Sequence, residues 1–430
     1  MTGLRWVQTA AVVLAIGLWV ACGDYYRPVA NPIIPNPPNP AFPHVIVVIS
    51  GNGANNPGSG TTIDVSGDIA ISAATLGLQP VHAALVSSAT KVYAANRAEN
   101  TVSEFSPSSP TPVITISLPA GSAPSFVAST EATNVYVANS ASNTVAVISM
   151  AGNVLINTIA VGVQPVAMAE LPNGQKLYVA NQGSGSGNGS VSSINTIDQT
   201  LNPPIQAQSP ATGNAVWVSP VWVASRSDGQ TLFVLDSGAG TVSAIDTFTD
   251  AIVGSATVGV GADFLLYDPI LNRVYVTNPT TSKVIALDAS TNALTPLPSY
   301  AVANPVSVAA LPDGSRVYVA TATVSGAGAA QTVSSSVTVL NAQDMSLKTT
   351  VPLTSVNVRC ATRTWSELFM ASAADSSRVY VGNCDAGNTA ILRTSNDTLL
   401  TSVAAPLSAQ TPPNGGTPLP QNPVFVLAGP

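Results

Sequence analysis

Three observations predict an all-β chain folded as a β-propeller of four-stranded blades. Seven short segments of one pattern recur along the chain, and their aromatic residues Tyr93, Tyr136, Tyr178, Phe233, Tyr275, Tyr318 and Tyr380 lie 43, 42, 55, 42, 43 and 62 residues apart. A base period of about 42 residues accommodates four short strands and their turns, the content of one propeller blade. Only 8% of the 430 residues are Asp, Glu, Lys or Arg and 46% are hydrophobic, against roughly 25% charged in an ordinary soluble protein. A body rich in Val, Ala, Thr, Ser, Asn and Gly has a β-protein composition. Finally, the two ends of the repeat region read as complementary fragments of one further blade.

The chain opens with a single positive charge between Met1 and Arg5, an apolar stretch from Ala10 to Val20, and Ala21-Cys22-Gly23. These are the n-region, h-region and small-residue cleavage site of a secretory signal. Val20-Ala21-Cys22 resembles the bacterial lipobox, with Trp19 where that motif usually has Leu. The resemblance implies a signal peptide over 1–21, acylation of Cys22 and palmitate-type anchoring in the bacterial cell envelope, at the outer membrane or cell surface. An ordinary cleaved signal and an uncleaved transmembrane helix are the alternatives, since about 17 apolar residues reach the short end of a span. Residues 22–43 read as a linker, with seven prolines between Pro28 and Pro43. Proline at that density excludes helix and central strand and gives a semi-rigid spacer. Residues 44–430 form the propeller domain.

Within each repeat the strands follow in order. Strand A starts at a proline: Pro80, Pro165, Pro220 and Pro305 each stand 13 residues before their aromatic. A tight turn such as Leu171-Pro172-Asn173-Gly174 reverses the chain into strand B, the aromatic segment. Strand C opens with Thr-Val, as at Thr101-Val102, Thr144-Val145 and Thr241-Val242, and ends at Asp246, Asp288 or Asn341. Those terminal side chains suit a following turn, because they can accept hydrogen bonds from its backbone. Strand D is an alternating run such as Val154 to Ala160.

These repeats resemble the YVTN family of β-propeller repeats, whose name-giving segment stands intact as Tyr275-Val276-Thr277-Asn278. The resemblance covers nearly everything after the linker and implies the fold. It is less specific for function, because that family includes surface-layer and envelope proteins and is similar to lactonase-type and nitrite-reductase propellers.

Residues 44–77 supply strands B, C and D without an A, and Asn422 to Leu427 supply an A strand without a successor. Their pairing would close the ring and give eight blades. Seven is the alternative, if the N-terminal strands only decorate the ring. In such a ring the A-B and C-D turns lie on one face and the B-C and D-A loops on the other. All long insertions fall on the second face: B-C loops at 51–59, 182–190 and 322–335, and D-A loops at 202–219, 354–364 and 406–421. Insertions confined to one face mark a candidate binding face.

Cys360 and Cys384 both belong to that face, and in an exported protein they read as a disulfide. Trp217, Trp222 and Trp365 lie in or just after D-A insertions. Two positions after the strand-A proline, near the channel mouth, stand His82, Phe126, Trp222, Ser307 and Phe425, with Phe264 at the matching place after Ala262. Trp217, Trp222, Trp365, His82 and Phe126 are therefore candidate binding residues; the competing reading is that they pin loops to the scaffold. Arg97, Glu99, Asp236, Asp263, Arg359, Arg363, Glu367 and Asp385 are the charges expected near the same face.

With 14 basic against 21 acidic residues and a net charge of -7, the chain has no electrostatic footprint for nucleic acid. Two His and three Cys give no zinc or iron–sulfur motif, and no catalytic triad motif appears, so no catalytic residue, metal ligand or cofactor is assigned. The glycine-rich stretch at 183–189 lacks the helix and Lys of a phosphate loop. The expectation is a monomeric, envelope-anchored module that binds or scaffolds an envelope protein or polysaccharide through its loop face. The alternative is a lactonase-like or quinoprotein-like enzyme.

Overall fold

A computed structural model describes residues 45–53, 55–86, 90–109, 111–129, 133–184, 189–205, 217–326, 331–357, 360, 368–408 and 418–429. These residues form eight antiparallel sheets, one per blade. Blade 1 is split between the chain ends: Asn422–Ala428 is its innermost strand and pairs with Val45–Gly51, followed outward by Pro57–Asp64 and Ile69–Leu78. Ile46 faces Ala428 and Ile49 faces Phe425 in that closure. The two half-blades therefore complete an eight-bladed ring. Blades 2 to 8 follow in sequence order, each with strand A innermost and strand D outermost.

Burial explains the charge deficit. Strand B of blade 2, Val92–Asn96, is buried at every position, as is strand C, Thr101–Phe105. Outer strands alternate, as Val154–Ala160 does. Two of the four strands thus have almost no site where a charge can reach water, and burying an unpaired one is prohibitive.

Neighbouring blades are joined by a recurring polar contact on the face of the A-B and C-D turns. Strand B's tyrosine is fully buried in blades 2, 3, 4, 6, 7 and 8, so its hydroxyl needs an acceptor. Tyr178 donates to Asp250 Oδ1 at 2.5 Å, Tyr318 to Asp397 Oδ1 at 2.6 Å, Tyr380 to Asp68 Oδ1 at 3.3 Å, and Tyr93 to Asn153 Oδ1 at 2.7 Å. Each acceptor belongs to the C-D turn of the next blade in the ring. The cation two residues before the tyrosine joins three of these contacts: Lys176 meets Asp250 at 3.0 Å, Arg316 meets Asp397 at 2.9 Å and Arg378 meets Asp68 at 3.1 Å. Burial, together with the adjacent carboxylate, pushes the hydroxyls of Tyr178, Tyr318 and Tyr380 above the ordinary tyrosine range.

The acceptors share a backbone reason for being Asp or Asn. Asp68, Asn153, Asp250 and Asp397 have φ of 53°, 52°, 55° and 53°, the left-handed region that these short polar residues tolerate best among non-glycine types. Where the turn residue differs, the contact changes with it. Leu294 holds the left-handed position opposite Phe233, which has no hydroxyl, and the two pack in one apolar cluster. Met345 holds it opposite Tyr275, whose O–H finds no acceptor, while Arg273 donates instead to the carbonyls of Ala342 and Gln343.

Strand C's terminal acids serve as the sequence predicts: Asp246 Oδ1 accepts from the Phe248 and Thr249 amides, and the Thr249 amide bond leads the effects that hold its pKa below the usual range. Two loop assignments require correction. Much of the expected B-C loop at 322–335 is a ribbon: strands Arg316–Ser325 and Thr332–Asn341 pair out to Ser325 and Thr332, and strand D of that blade, Leu347–Asn357, pairs alongside. The alternating Thr323, Val324 and Val333 favour continued pairing over a loop. The D-A loop assigned from Thr354 therefore begins only after Asn357.

Removing single hydroxyls separates clamped from unclamped junctions. Tyr318→Phe is expected to cost about 1.5–3 kcal/mol in urea unfolding, the range for a hydrogen bond to a charged acceptor. Tyr275→Phe, which removes a buried hydroxyl with no acceptor, is expected to cause no loss and to gain up to about 1–3 kcal/mol over the parent.

Candidate functional site

Strand A of each blade lines the central channel, and its inward positions stack in two rings of opposite character. The ring nearer the insertions is set by the residues opposite the strand-B position two after the aromatic one: Phe425, His82, Phe126, Ala167, Trp222, Phe264, Ser307 and Phe369. Six of these eight are aromatic. Their centroids form a closed circuit: Phe425 to His82 4.1 Å, His82 to Phe126 3.8 Å, Phe126 to Trp222 6.0 Å, Trp222 to Phe264 4.7 Å, Phe264 to Phe369 6.0 Å and Phe369 to Phe425 4.8 Å. Trp222 also approaches Phe369 across the channel at 6.4 Å. The circuit skips Ala167 and Ser307, and these two small residues leave room for the larger rings. Such spacings are those of attractive aromatic contacts.

The second ring lies two residues further along strand A: Ala84, Ala128, Ala169, Ala224, Leu266, Ala309, Ala371 and Leu427, each opposite the strand-B aromatic position. The channel is thus floored with aromatic rings toward the loop face and lined mostly with alanine toward the clamped face. Phe126, Trp222, Phe369 and Phe425 are half-buried.

His82 is held neutral in this floor. The Val127 amide donates to its Nδ1 at 3.2 Å, which places the proton of the neutral ring on Nε2. Burial pushes its pKa down to about 3. Stacked on Phe126, tilted against Phe425 and 8% exposed, it acts as an aromatic ring rather than a base near neutral pH.

Trp217 does not join the floor. It is 5% exposed, its indole N–H donates to the Ile205 carbonyl at 3.1 Å, and it packs with Ala167, Val191 and Val223. It fastens the D-A crossover between blades 4 and 5. Trp365, with Arg359, Arg363 and Glu367, lies outside the described residues, as do His44 and Cys22.

Cys360 and Cys384 form a disulfide across 24 residues. The Asp385 Oδ1 accepts the Cys360 amide at 2.7 Å, so this acid fixes the bridged loop. Asp236 accepts from the amides of Val218, Ser219 and Ala239, and Glu99 accepts from that of Leu78. Each carboxylate is thereby tied to its own crossover, and none enters the aromatic circuit.

Asp263 differs. By register it occupies the strand-A position that Val81, Val166, Val221, Val306 and Val424 hold elsewhere, one residue before the floor. Thr277 donates to its Oδ1 at 2.7 Å. Burial raises its pKa to about 7, because an apolar position disfavours the charged form.

Phe369 is the floor residue missed by counting from prolines: its strand has Glu367 where six others have Pro, and that of Phe264 has Ala262. Counting back 11 residues from Tyr380 finds it, as the same count from Tyr93 and Phe233 finds His82 and Trp222.

No family model and no curated protein matches the chain. Solved structures share its fold. Hydrazine synthase from Kuenenia stuttgartiensis aligns with a TM-score of 0.52 at 17% identity, covering 74% of this chain and 96% of that one. AztD from Citrobacter koseri, in its apo form, aligns with a TM-score of 0.60 at 10% identity, covering 90% and 98%. A Bacteroides fragilis protein provisionally assigned as a 6-phosphogluconolactonase aligns at 0.52 with 14% identity, covering 91% and 99%. At these identities the likeness is one of fold.

Two measurements test this site. The non-reduced protein is expected to be two hydrogens lighter than the reduced one, and reduction to cost roughly 3 kcal/mol of stability for a loop of this length. For Asp263, the folded chain holds a proton that the unfolded chain releases near its ordinary pKa of about 3.9. Its contribution is therefore full below about pH 4 and is lost as pH rises to about 7. Asp263→Asn is expected to remove that decline, read as the difference between the two proteins' urea midpoints at pH 5 and pH 8.

Proposed function

We propose that the chain is a lipid-anchored β-propeller of the bacterial cell envelope that binds or scaffolds an envelope protein or polysaccharide through its loop face. The aromatic floor carries this reading. Six rings from six blades converge at one end of the channel, beneath the face that holds every insertion in the repeat. Half-buried aromatic faces bind sugar rings and apolar side chains through stacking and burial. The surroundings are Ser, Thr, Asn and Gly with few charges, which favours neutral polar partners over phosphates. The YVTN-like repeats, a pattern associated with surface and envelope proteins, support the same class.

The clamped face supplies rigidity, and the chain joins the ring there: Val45 pairs with Asp64, at the start of a C-D turn. The lactonase-like or quinoprotein-like alternative has Asp263 in its favour, a carboxyl poised near neutrality. The other described acids of the loop face are committed to backbone amides, and this weighs toward binding.

Photocrosslinking in the native envelope tests both parts. Benzoylphenylalanine at Val324, 44% exposed on the loop-face ribbon, is expected to capture a partner, and the same group at Phe248, 93% exposed on the clamped face, is not. Equal capture from both sites would overturn the assignment of the face. Cys22→Ser is expected to move the protein out of the membrane fraction; unchanged fractionation would remove the lipid anchor from the reading.

A further inference from the structure

Below the aromatic floor, at the clamped face, the alanine-rich ring leaves a cavity of about 320 Å³. Leu266, Ala309, Leu311, Ala371 and Ala428 contribute apolar wall, and Asp268 stands among them. This volume lies at the lower end of small-molecule sites, which combine apolar walls with a few placed polar groups.

Asp268 is the unusual member. It is 2% exposed. Its Oδ1 caps the A-B turn of blade 6, accepting from the Ile270 amide at 2.9 Å and the Leu271 amide at 3.3 Å. Its Oδ2 has no hydrogen-bond partner. The turn accounts for one oxygen only, and a buried carboxylate oxygen without a donor is unfavourable. The other polar side chains of the wall are satisfied internally: Ser372 donates to the Ala310 carbonyl at 2.9 Å and Tyr267 to Asn272 Oδ1 at 2.8 Å. Arg273, the nearest cation by register, spends its guanidinium on the carbonyls of Ala342 and Gln343. At the equivalent strand position the neighbouring blades carry Arg226, whose guanidinium pairs with Asp228 at 2.8 Å, and Leu311, so a carboxylate stands there in blade 6 alone of the three.

We propose that this cavity is a binding site for a small apolar molecule ending in a protonated amine, with the ammonium on Asp268 Oδ2 and the hydrocarbon against the alanine ring. Charge complementarity selects a cation, and the apolar wall selects a short alkyl or aryl chain over a polyamine. This site is on the face opposite the aromatic floor, so it stands or falls independently of the loop-face function.

Titration calorimetry of the folded chain with n-hexylamine and with 1-hexanol tests it. Hexylammonium is expected to bind at least about tenfold tighter than the alcohol, the factor associated with a charge-assisted hydrogen bond. Asp268→Asn keeps an oxygen to cap the turn and is expected to reduce hexylamine binding to the level of the alcohol. Ala371→Leu, which fills the cavity, is expected to weaken both probes. Equal binding of the two probes, no binding of either at about 10 mM, or undiminished hexylamine binding by Asp268→Asn would each overturn the proposal. Should Asp268→Asn fail to fold by circular dichroism, the comparison of probes on the parent and on Ala371→Leu still decides.

Discussion

The fold depends on how a buried tyrosine hydroxyl is satisfied at the junction between blades. A propeller blade can bury its faces only against its neighbours, so the ring is as strong as its blade-to-blade contacts. Strand B places its tyrosine in that junction with the ring fully buried. A hydroxyl stranded there would be unfavourable by about 1–3 kcal/mol. The next blade removes that penalty with an Asp or Asn whose left-handed backbone is already required to turn strand C into strand D. One residue therefore meets two demands, local chain reversal and cross-blade bonding. One exception supports the logic: Phe233 faces Leu294, with the hydroxyl and the carboxylate absent together. Tyr275 departs from it: it faces Met345, its hydroxyl keeps no acceptor, and only the neighbouring Arg273 finds backbone carbonyls.

This arrangement divides the molecule into two faces under different constraints. Turns on the clamped face carry the tyrosine acceptors, so their length and backbone conformation are fixed. Loops on the opposite face need only carry the chain from one strand to the next, and there the insertions accumulate, together with the disulfide and the three-stranded ribbon of blade 7. The clamps also account for part of the sparse charge. Lys176, Asp250, Arg316, Asp397, Arg378 and Asp68 sit at junctions where each charge has a partner, while strands B and C leave few other places to put one.

The sequence shows the local half of this design clearly. The tyrosine period, the strand-A prolines and the Asp or Asn at the end of strand C are contiguous signals, and they led to eight blades, the split closure and the Cys360–Cys384 pair. The cross-blade half is less legible, because Tyr178 and Asp250 are 72 residues apart and Tyr318 and Asp397 79 apart. No local pattern links them until the blades are laid side by side. The floor is legible in part: His82, Phe126, Trp222 and Phe425 share an offset from a proline, but that they meet in one circuit follows only from ring closure. That offset reaches neither Phe264, which follows Ala262, nor Phe369, which follows Glu367. The ribbon at 322–335 escaped for another reason: its Ser and Gly content resembles a loop, and the alternating Thr and Val that keep it paired are few.

The two rings of the channel also show why chain position alone does not reveal a site in this fold. His82 and Ala84 are two residues apart on one strand, and the pleat directs both inward. Eight copies of that step place aromatics at one level and alanines at the next. Both levels also pack into the blade junctions: Phe264 shares an apolar cluster with Val317 and Val319 of the next blade, and Ala309 with Val379 and Val381. In this chain the channel holds aromatic rings toward the loops and a carboxylate-bearing apolar cavity toward the clamps, where Asp268 gives one oxygen to the A-B turn and keeps the other unpaired.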